Sequence, residues 1–331
     1  MFIVNNYPLA IVFCFITMLC WGSWANTQKL AQKTWRFELF YWDYVIGILL
    51  MSFIFSFSLG SFGQAGRGFT ADLGQAGIEN LSNALIGGII FNAANILVAA
   101  AIAIAGMSVT FPVGIGIALV LGVIVNFIAS PHGNAFWLFS GVVLITVAII
   151  LDALAYRKKA AQSQKIPAKG IVLSVTGGVL MALFYRFVAS SMTESFEQPE
   201  IGKLTPYTAV FIFSFGILLS NFVFNTILMR KPFEGTPVRY ANYFAGDFKE
   251  HLPGILGGMI WCIGMTFSII ASGKAGFAIS YGLGQGATLV AALWGVFIWK
   301  EFKGVRNTWV LLTTMFVLFF AGISLLVIAG A

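Results

Sequence analysis

Charge is what this 331-residue chain has least of: 9% of its residues are Asp, Glu, Lys or Arg, against 59% hydrophobic. Soluble domains carry roughly a quarter charged residues, so a soluble enzyme or binding domain is excluded. Histidine occurs twice, at His132 and His251, and cysteine three times. Cys14, Cys20 and Cys262 lie inside apolar runs, form no CxxC pair and have no histidine near them in sequence. A disulfide framework or a zinc site is therefore not expected, and the three read as small packing residues. HExxH, GxSxG and GxxxxGK[ST] patterns are missing, which removes the common hydrolase and phosphate-loop chemistries. No catalytic residue, metal site or cofactor is expected, and the chain does not read as an enzyme. The net charge of +7 does not point to nucleic acid, because the basic residues sit in short runs beside apolar segments, as membrane topology demands.

What the chain has is apolar length. About 20 mainly apolar residues cross a hydrocarbon core, and ten segments reach that length: 7–28, 37–62, 81–105, 108–129, 135–155, 168–189, 205–229, 252–272, 275–299 and 307–329. The first run is expected to stay as a span, since no cleavage-site pattern follows it. With both termini outside, the inner connections hold Lys29, Lys33, Arg36, Arg157, Lys158, Lys159, Lys165, Lys169, Arg230, Lys231, Arg239, Lys249, Lys300, Lys303 and Arg306. The outer ones hold only Arg67, Lys203 and Lys274, and Arg186 falls within a span. This asymmetry predicts an inside rich in Lys and Arg. A multi-pass protein of a bacterial inner membrane or a plasma membrane follows, with the lipid bilayer as its partner.

An internal repeat divides the spans. Leu85-Ile86-Gly87-Gly88-Ile89-Ile90 recurs 170 positions later as Ile255-Leu256-Gly257-Gly258-Met259-Ile260, and at the same offset Gly106 meets Gly276, Gly114 meets Gly284 and Gly116 meets Gly286. The sequence thus predicts an all-α polytopic membrane protein of ten transmembrane helices in two five-helix repeats, 1–155 and 168–331, joined by a linker at 156–167. Five is odd, so the second repeat is expected to run inverted, the layout of transporters that alternate access about a central site.

Polar residues inside spans are costly unless they face protein or water, so they nominate a site. Asp43 lies five residues beyond Glu38, about 7.5 Å along a helix, with no Lys or Arg three or four residues away. Both carboxyls are candidates for proton coupling, although an acid in a first helical turn also suits the helix dipole, Glu38 better than Asp43. Asn92 and Asn95 share one face of the third span, and Gln285 sits between Gly284 and Gly286. Their amides offer donors and acceptors to a neutral solute, or bonds between helices. Trp21, Trp24 and Trp261 lie away from the interfaces where tryptophan collects, and would serve as stacking walls or as core. Tyr281 heads the ninth span. Arg186 is either a contact at the outer mouth or a side chain snorkelling to the surface. The shared glycines read as scaffold, and the mismatched polar positions, where Asn92 faces Cys262, Asn95 faces Met265 and Ile115 faces Gln285, as the place for substrate.

Two segments carry a family resemblance. Gly22-Ser23-Trp24-Ala25 late in the first span and Trp42-Asp43-Tyr44 early in the second resemble the GTWP-like and LDY stretches of ureide permeases. Thr110-Phe111-Pro112 at the fourth span is similar as well. The branch is that of the drug/metabolite transporter superfamily holding ureide permeases and the glucose/ribose and rhamnose porters. What this resemblance implies is proton-coupled uptake (symport) of a small neutral polar solute, a ureide, nucleobase or sugar, by a monomer or weak homodimer. A drug or metabolite exporter of the same fold, and a membrane scaffold or receptor without transport, are the rival readings. A scaffold would leave no cavity between the halves.

Overall fold

The computed structural model describes residues 1–32, 34–160, 167–303, 305 and 308–331. Within the predicted linker, 161–166 lie outside the described residues, as do Lys33, Lys165 and Arg306. Among the described residues the chain is all-helical, with one isolated bridge between Met192 and Leu204 and ten helices long and apolar enough to cross a membrane. They are α1 (Tyr7–Ala31), α2 (Phe37–Phe57), α3 (Ile78–Ala105), α4 (Phe111–Ala129), α5 (Ala135–Lys158), α6 (Ala168–Ser191), α7 (Pro206–Arg230), α8 (Phe248–Ala275), α9 (Phe277–Ile298) and α10 (Trp309–Ala329).

Local chemistry sets their ends. Asn6 caps α1 by accepting from Leu9 N at 2.9 Å, with Pro8 in the first turn. Asp247 and Glu250 form a reciprocal capping box at α8 (3.0 and 3.2 Å), satisfying donors that a helix start leaves open. The helix α2 is shorter than its apolar run, which was expected to reach 62. After Ser58 the chain turns through Gly63 and Gly66, and the turn is held because Phe2 N donates to Leu59 O and the Met1 ammonium to Ala65 O. Gly106 and Gly276, repeat partners, link α3 to α4 and α8 to α9 with φ of 83° and 77°, a region that side chains rarely adopt.

Contacts sort the connections into two ends. Lys29 pairs with Glu301 (2.8 Å), Arg36 donates to Thr236 O and Glu234 O, and Lys169 to Phe233 O. At the opposite end Arg67 donates to Pro199 O and Glu200 O, Lys274 pairs with Glu197, and Asn134 N donates to Ala329 O. The connections rich in Lys and Arg therefore gather at one end, called here the basic end.

Helix pairings recur when each helix is exchanged for the one five places on. α3 packs on α6 and α8 on α1; α3 packs on α7 and α8 on α2; α4 packs on α6 and α9 on α1. Glycines bring the backbones together at matching places. A Cβ on Gly88 would stand 2.0 Å from Phe213 O of α7, and one on Gly258, its repeat partner, 1.9 Å from Tyr44 O of α2. Gly47 meets Ile255 O at 2.1 Å as Gly216 meets Leu85 O at 2.2 Å, and Leu85 and Ile255 are again repeat partners. Small residues at such crossings are what a bilayer requires, since packing rather than water drives association there.

Gly88→Ala and Gly258→Ala are therefore each expected to cost about 1–3 kcal/mol through overpacking against backbone that cannot yield. Thermal unfolding of the purified protein should show both variants well below wild type, and Gly68→Ala, where a Cβ meets nothing within 4 Å, unchanged.

Candidate functional site

At the middle of the bundle a narrow cavity opens between the two sets of helices. Its walls are Trp21 and Trp24 of α1, Asn95 of α3, Phe111 and Ile115 of α4, Met181 and Phe184 of α6, Trp261 of α8, and Gln285 and Ala287 of α9. The space free of atoms is about 360 Å³. None of these side chains is charged, and two carry amides.

The cavity sits where two spans are interrupted. The helix of α1 breaks at Trp24, and the carbonyls around the break are taken by side chains: Asn26 Nδ2 donates to Ser23 O (3.0 Å) and Thr27 Oγ1 to Trp24 O (2.7 Å). The helix of α9 breaks at Gly286, one residue past Gln285. The two breaks face each other, because a Cβ on Gly22 would meet Ala287 O at 2.6 Å. Irregular backbone at this depth is tolerated only where it is buried in protein or borders a cavity. Facing this break, α4 opens with a π turn over Phe111–Ile115, whose first and last residues are cavity walls.

The tryptophans are packed on one another. Trp21 and Trp261 stack with ring centroids 5.9 Å apart and planes 11° from parallel, and Trp21 Nε1 donates to Trp261 O at 3.2 Å. Phe91, the repeat partner of Trp261, lies 4.2 Å from it, and Trp24 leans on Tyr44 at 4.9 Å. A gap of 5.9 Å between indoles is too small to admit a further ring, so the site is in a collapsed state.

Five of the residues singled out by sequence thus line the cavity: Trp21, Trp24, Asn95, Trp261 and Gln285. The others lie elsewhere, for physical reasons. Asn92 does not reach the cavity walls: its Oδ1 accepts from Tyr41 Oη (3.0 Å) and its Nδ2 donates to Ser220 Oγ (2.9 Å). It ties α3 to α2 and α7, and the same Tyr41 hydroxyl accepts from Asn95 Nδ2 at 3.3 Å. Tyr281 is fully buried against Gly122, donating to Ala118 O and Met181 O. It fastens α9 to α4 and α6. Arg186 is half-buried beyond the cavity walls in α6.

Asp43 is buried near the basic end and has more partners than its sequence neighbours suggest. Its Oδ2 accepts from Trp35 Nε1 (2.9 Å), and its Oδ1 from Tyr243 Oη (2.7 Å), with His251 Nδ1 also at 2.7 Å. His251, one of the chain's two histidines, is thus a direct partner of Asp43. Burial and the adjacent carboxylate push the Tyr243 hydroxyl upward, so it stays a donor. Glu38 is also buried and is held by Arg36 at 2.6 Å. Neither carboxylate borders the cavity. Sequence reasoning missed Tyr41, Phe111, Met181 and Phe184, because a lone aromatic or methionine in an apolar span carries no mark of the face it will take.

Ten apolar helices around a narrow, uncharged cavity define a multi-pass membrane protein. The ureide permease family model matches residues 40–169 and 159–329, and the chain belongs to that family. Its relatives include Ureide permease 1 and Ureide permease 2 of Arabidopsis thaliana, each 22% identical and aligned over 98% of both chains. Transmembrane protein 144 homolog B of Dictyostelium discoideum is 27% identical over 48% of this chain and 40% of its own. A solved crystal structure superposes with a TM-score of 0.61 at 13% identity, covering 97% of this chain and 96% of the other, a likeness of fold. The protein is a membrane transporter of small solutes, and its family is one of permeases rather than enzymes.

The Asp43 cluster yields a direct expectation. Hydrogen bonds to a charged group contribute about 1.5–3 kcal/mol, so Tyr243→Phe should lower the unfolding temperature. It should also expose the 231–247 connection to proteolysis, read by the appearance of a nicked product that wild type resists.

Proposed function

We propose that the protein takes up a small neutral polar solute by proton-coupled symport, with two inverted five-helix repeats, 1–155 and 168–331, rocking about the central cavity as a member of the drug/metabolite transporter superfamily would. The observation that carries this reading is the cavity itself. The two sets of helices contribute to it in matched fashion, α1, α3 and α4 from one and α6, α8 and α9 from the other. A scaffold has no use for such a space.

The chemistry of the walls supports the substrate class. A charged solute would need an opposite charge in so dry a place, and the walls offer none. The amides of Asn95 and Gln285 provide both donors and acceptors, and three indoles provide flat apolar faces. A planar ring bearing N–H and C=O groups fits that combination, as do nucleobases, and pyranoses in lesser degree. The names of the Arabidopsis relatives point to a ureide. The stacked pair Trp21–Trp261 must part to admit it, so binding and helix movement are one event.

Orientation in this reading places the basic end in the cytoplasm and both termini outside. Coupling involves Asp43, with Glu38 beside it. Because Asp43 lies away from the cavity, it would act on the gate: adding a proton discharges the carboxylate that holds Trp35, Tyr243 and His251, and releases the connection before α8.

A thermal-shift screen of ureides, nucleobases and sugars, followed by liposome uptake of the hit, tests the substrate class. Gln285→Ala and Asn95→Ala should each weaken binding about 3- to 10-fold, the range of one lost hydrogen bond. Stabilisation by none of the three classes would reject it. Asp43→Asn should abolish accumulation driven by a pH gradient yet leave counterflow exchange; unchanged accumulation would remove Asp43 from coupling.

A further inference from the structure

One acid in the membrane-spanning region has no partner for part of its carboxylate. Asp152, on α5, is 2% exposed, and its Oδ1 is buried with no hydrogen-bond partner among the described residues. It stands six residues before Lys158, in the last third of α5. It borders a second small cavity, on the basic-end side of the first, together with Phe111, Tyr156, Thr288 and Glu301. Phe111 is a wall of both cavities, and α9 supplies Ala287 to one and Thr288 to the other.

The backbone is shaped to bring Glu301 here. The end of α9 widens into a π turn over Trp294–Ile298, and Lys300 then takes a φ of 51°. That conformation is strained for a lysine, and it folds Glu301 back so that its N–H donates to Gly295 O at 2.9 Å. A Cβ on Gly295 would lie 2.4 Å from Tyr156 Oη and 3.9 Å from the Glu301 carboxyl carbon. Glu301 in turn is paired with Lys29, whose ammonium also lies 4.2 Å above the Trp299 ring. The titratable groups around Asp152 are thus Tyr156 of its own helix, Glu301 and Lys29, with Arg157 and Lys158 exposed at the end of α5. The facing helices α4 and α10 contribute none.

We propose that Asp152 is a proton-binding carboxyl, carried as the neutral acid in the state seen here and exchanging its proton with the basic end through Glu301. A lone buried carboxylate is far costlier than a neutral acid, and the neutral acid needs only one donor–acceptor contact. In exchange, the O–H bond at Asp152 breaks as one forms at a Glu301 oxygen. Asp152 then carries the charge, and Glu301 loses its attraction for Lys29 before releasing the proton to water. Lys29 lies in α1, five residues beyond the break at Trp24, so the state of the acid pair reaches the helix that walls the central cavity.

The inference gives the transport reading a second proton site, but its first test does not require transport. Infrared spectra of the full-length protein in liposomes at pH 7 should contain a protonated carboxyl band that shifts in deuterated water. The band should be absent in Asp152→Asn and displaced but retained in Asp152→Glu. A hydrophobic carbodiimide, which reacts with protonated membrane carboxyls, should label the segment 135–158 of wild type and of Asp152→Glu. Hydrogen–deuterium exchange of the band should slow several-fold in Glu301→Gln. A folded Asp152→Asn variant with the wild-type carboxyl spectrum would overturn the proposal. So would stabilisation of wild type by sodium that Asp152→Asn abolishes, since the site would then hold a metal cation in place of a proton.

Discussion

Backbone-to-backbone contact at glycine is the constraint on which the rest of the structure depends. Where Gly88 meets Phe213 O and Gly258 meets Tyr44 O, helices approach until no side chain separates them. In a bilayer the solvent is as apolar as leucine, so this close packing has to supply what hydrophobic burial supplies in water. The same contacts place α3 against α7 and α8 against α2, which leaves the opposite faces of α3 and α8 to meet α6 and α1. Those faces hold Phe91, against Phe184, and Trp261, against Trp21, and so the cavity lies between tightly bound layers.

Within that frame the polar groups separate by geometry. Asn92 and Tyr281 are occupied in holding helices together, while Asn95 and Gln285, which carry the same amide chemistry or lie four residues away, also border the central cavity. An interhelical hydrogen bond in a membrane averages only about 0.6 kcal/mol, so such bonds fix register more than they stabilise. Tyr41 shows the economy of this arrangement: one hydroxyl donates to Asn92 and accepts from Asn95. It keeps the cavity-facing amide oriented from behind.

The ten spans, the end that gathers Lys and Arg, and the 170-residue echo were legible because each rests on a pattern along the chain: apolar length, charge placement and paired glycines. The site was legible where polarity alone marks a residue, as at Gln285 and Asn95, and where tryptophan lies far from an interface. It was not legible where rotation about a helix axis decides. Asn92 and Asn95 are three residues apart and both reach the Tyr41 hydroxyl, yet only Asn95 also borders the cavity, while Asn92 is taken up by Ser220 of α7. The partners of Asp43 come from Trp35, Tyr243 and His251, up to 208 residues away in sequence, and no local spacing announces them. The breaks at Trp24 and Gly286 were hidden for another reason, since Asn26 and Thr27 supply the compensation and neither is an unusual residue in a span.

The central cavity and the acids are physically separate, and this limits the form that the proposed coupling can take. No carboxylate reaches the walls formed by Asn95, Gln285 and the indoles, so a proton cannot act on a solute there by direct charge. It has to act through helices that touch both places. The span α9 is suited to this, because it is interrupted at Gly286, borders the central cavity on one side of the break and the Asp152 cavity on the other, and ends at the strained turn that holds Glu301. A rotation about that break would move Thr288 and Glu301 relative to Gln285. On the other side of the cavity α1 is built alike, with its break at Trp24 and its basic end tied to Glu301 through Lys29. Two interrupted helices joined by one ion pair thus connect the basic end with the walls of the central cavity, the path that the proposed coupling requires.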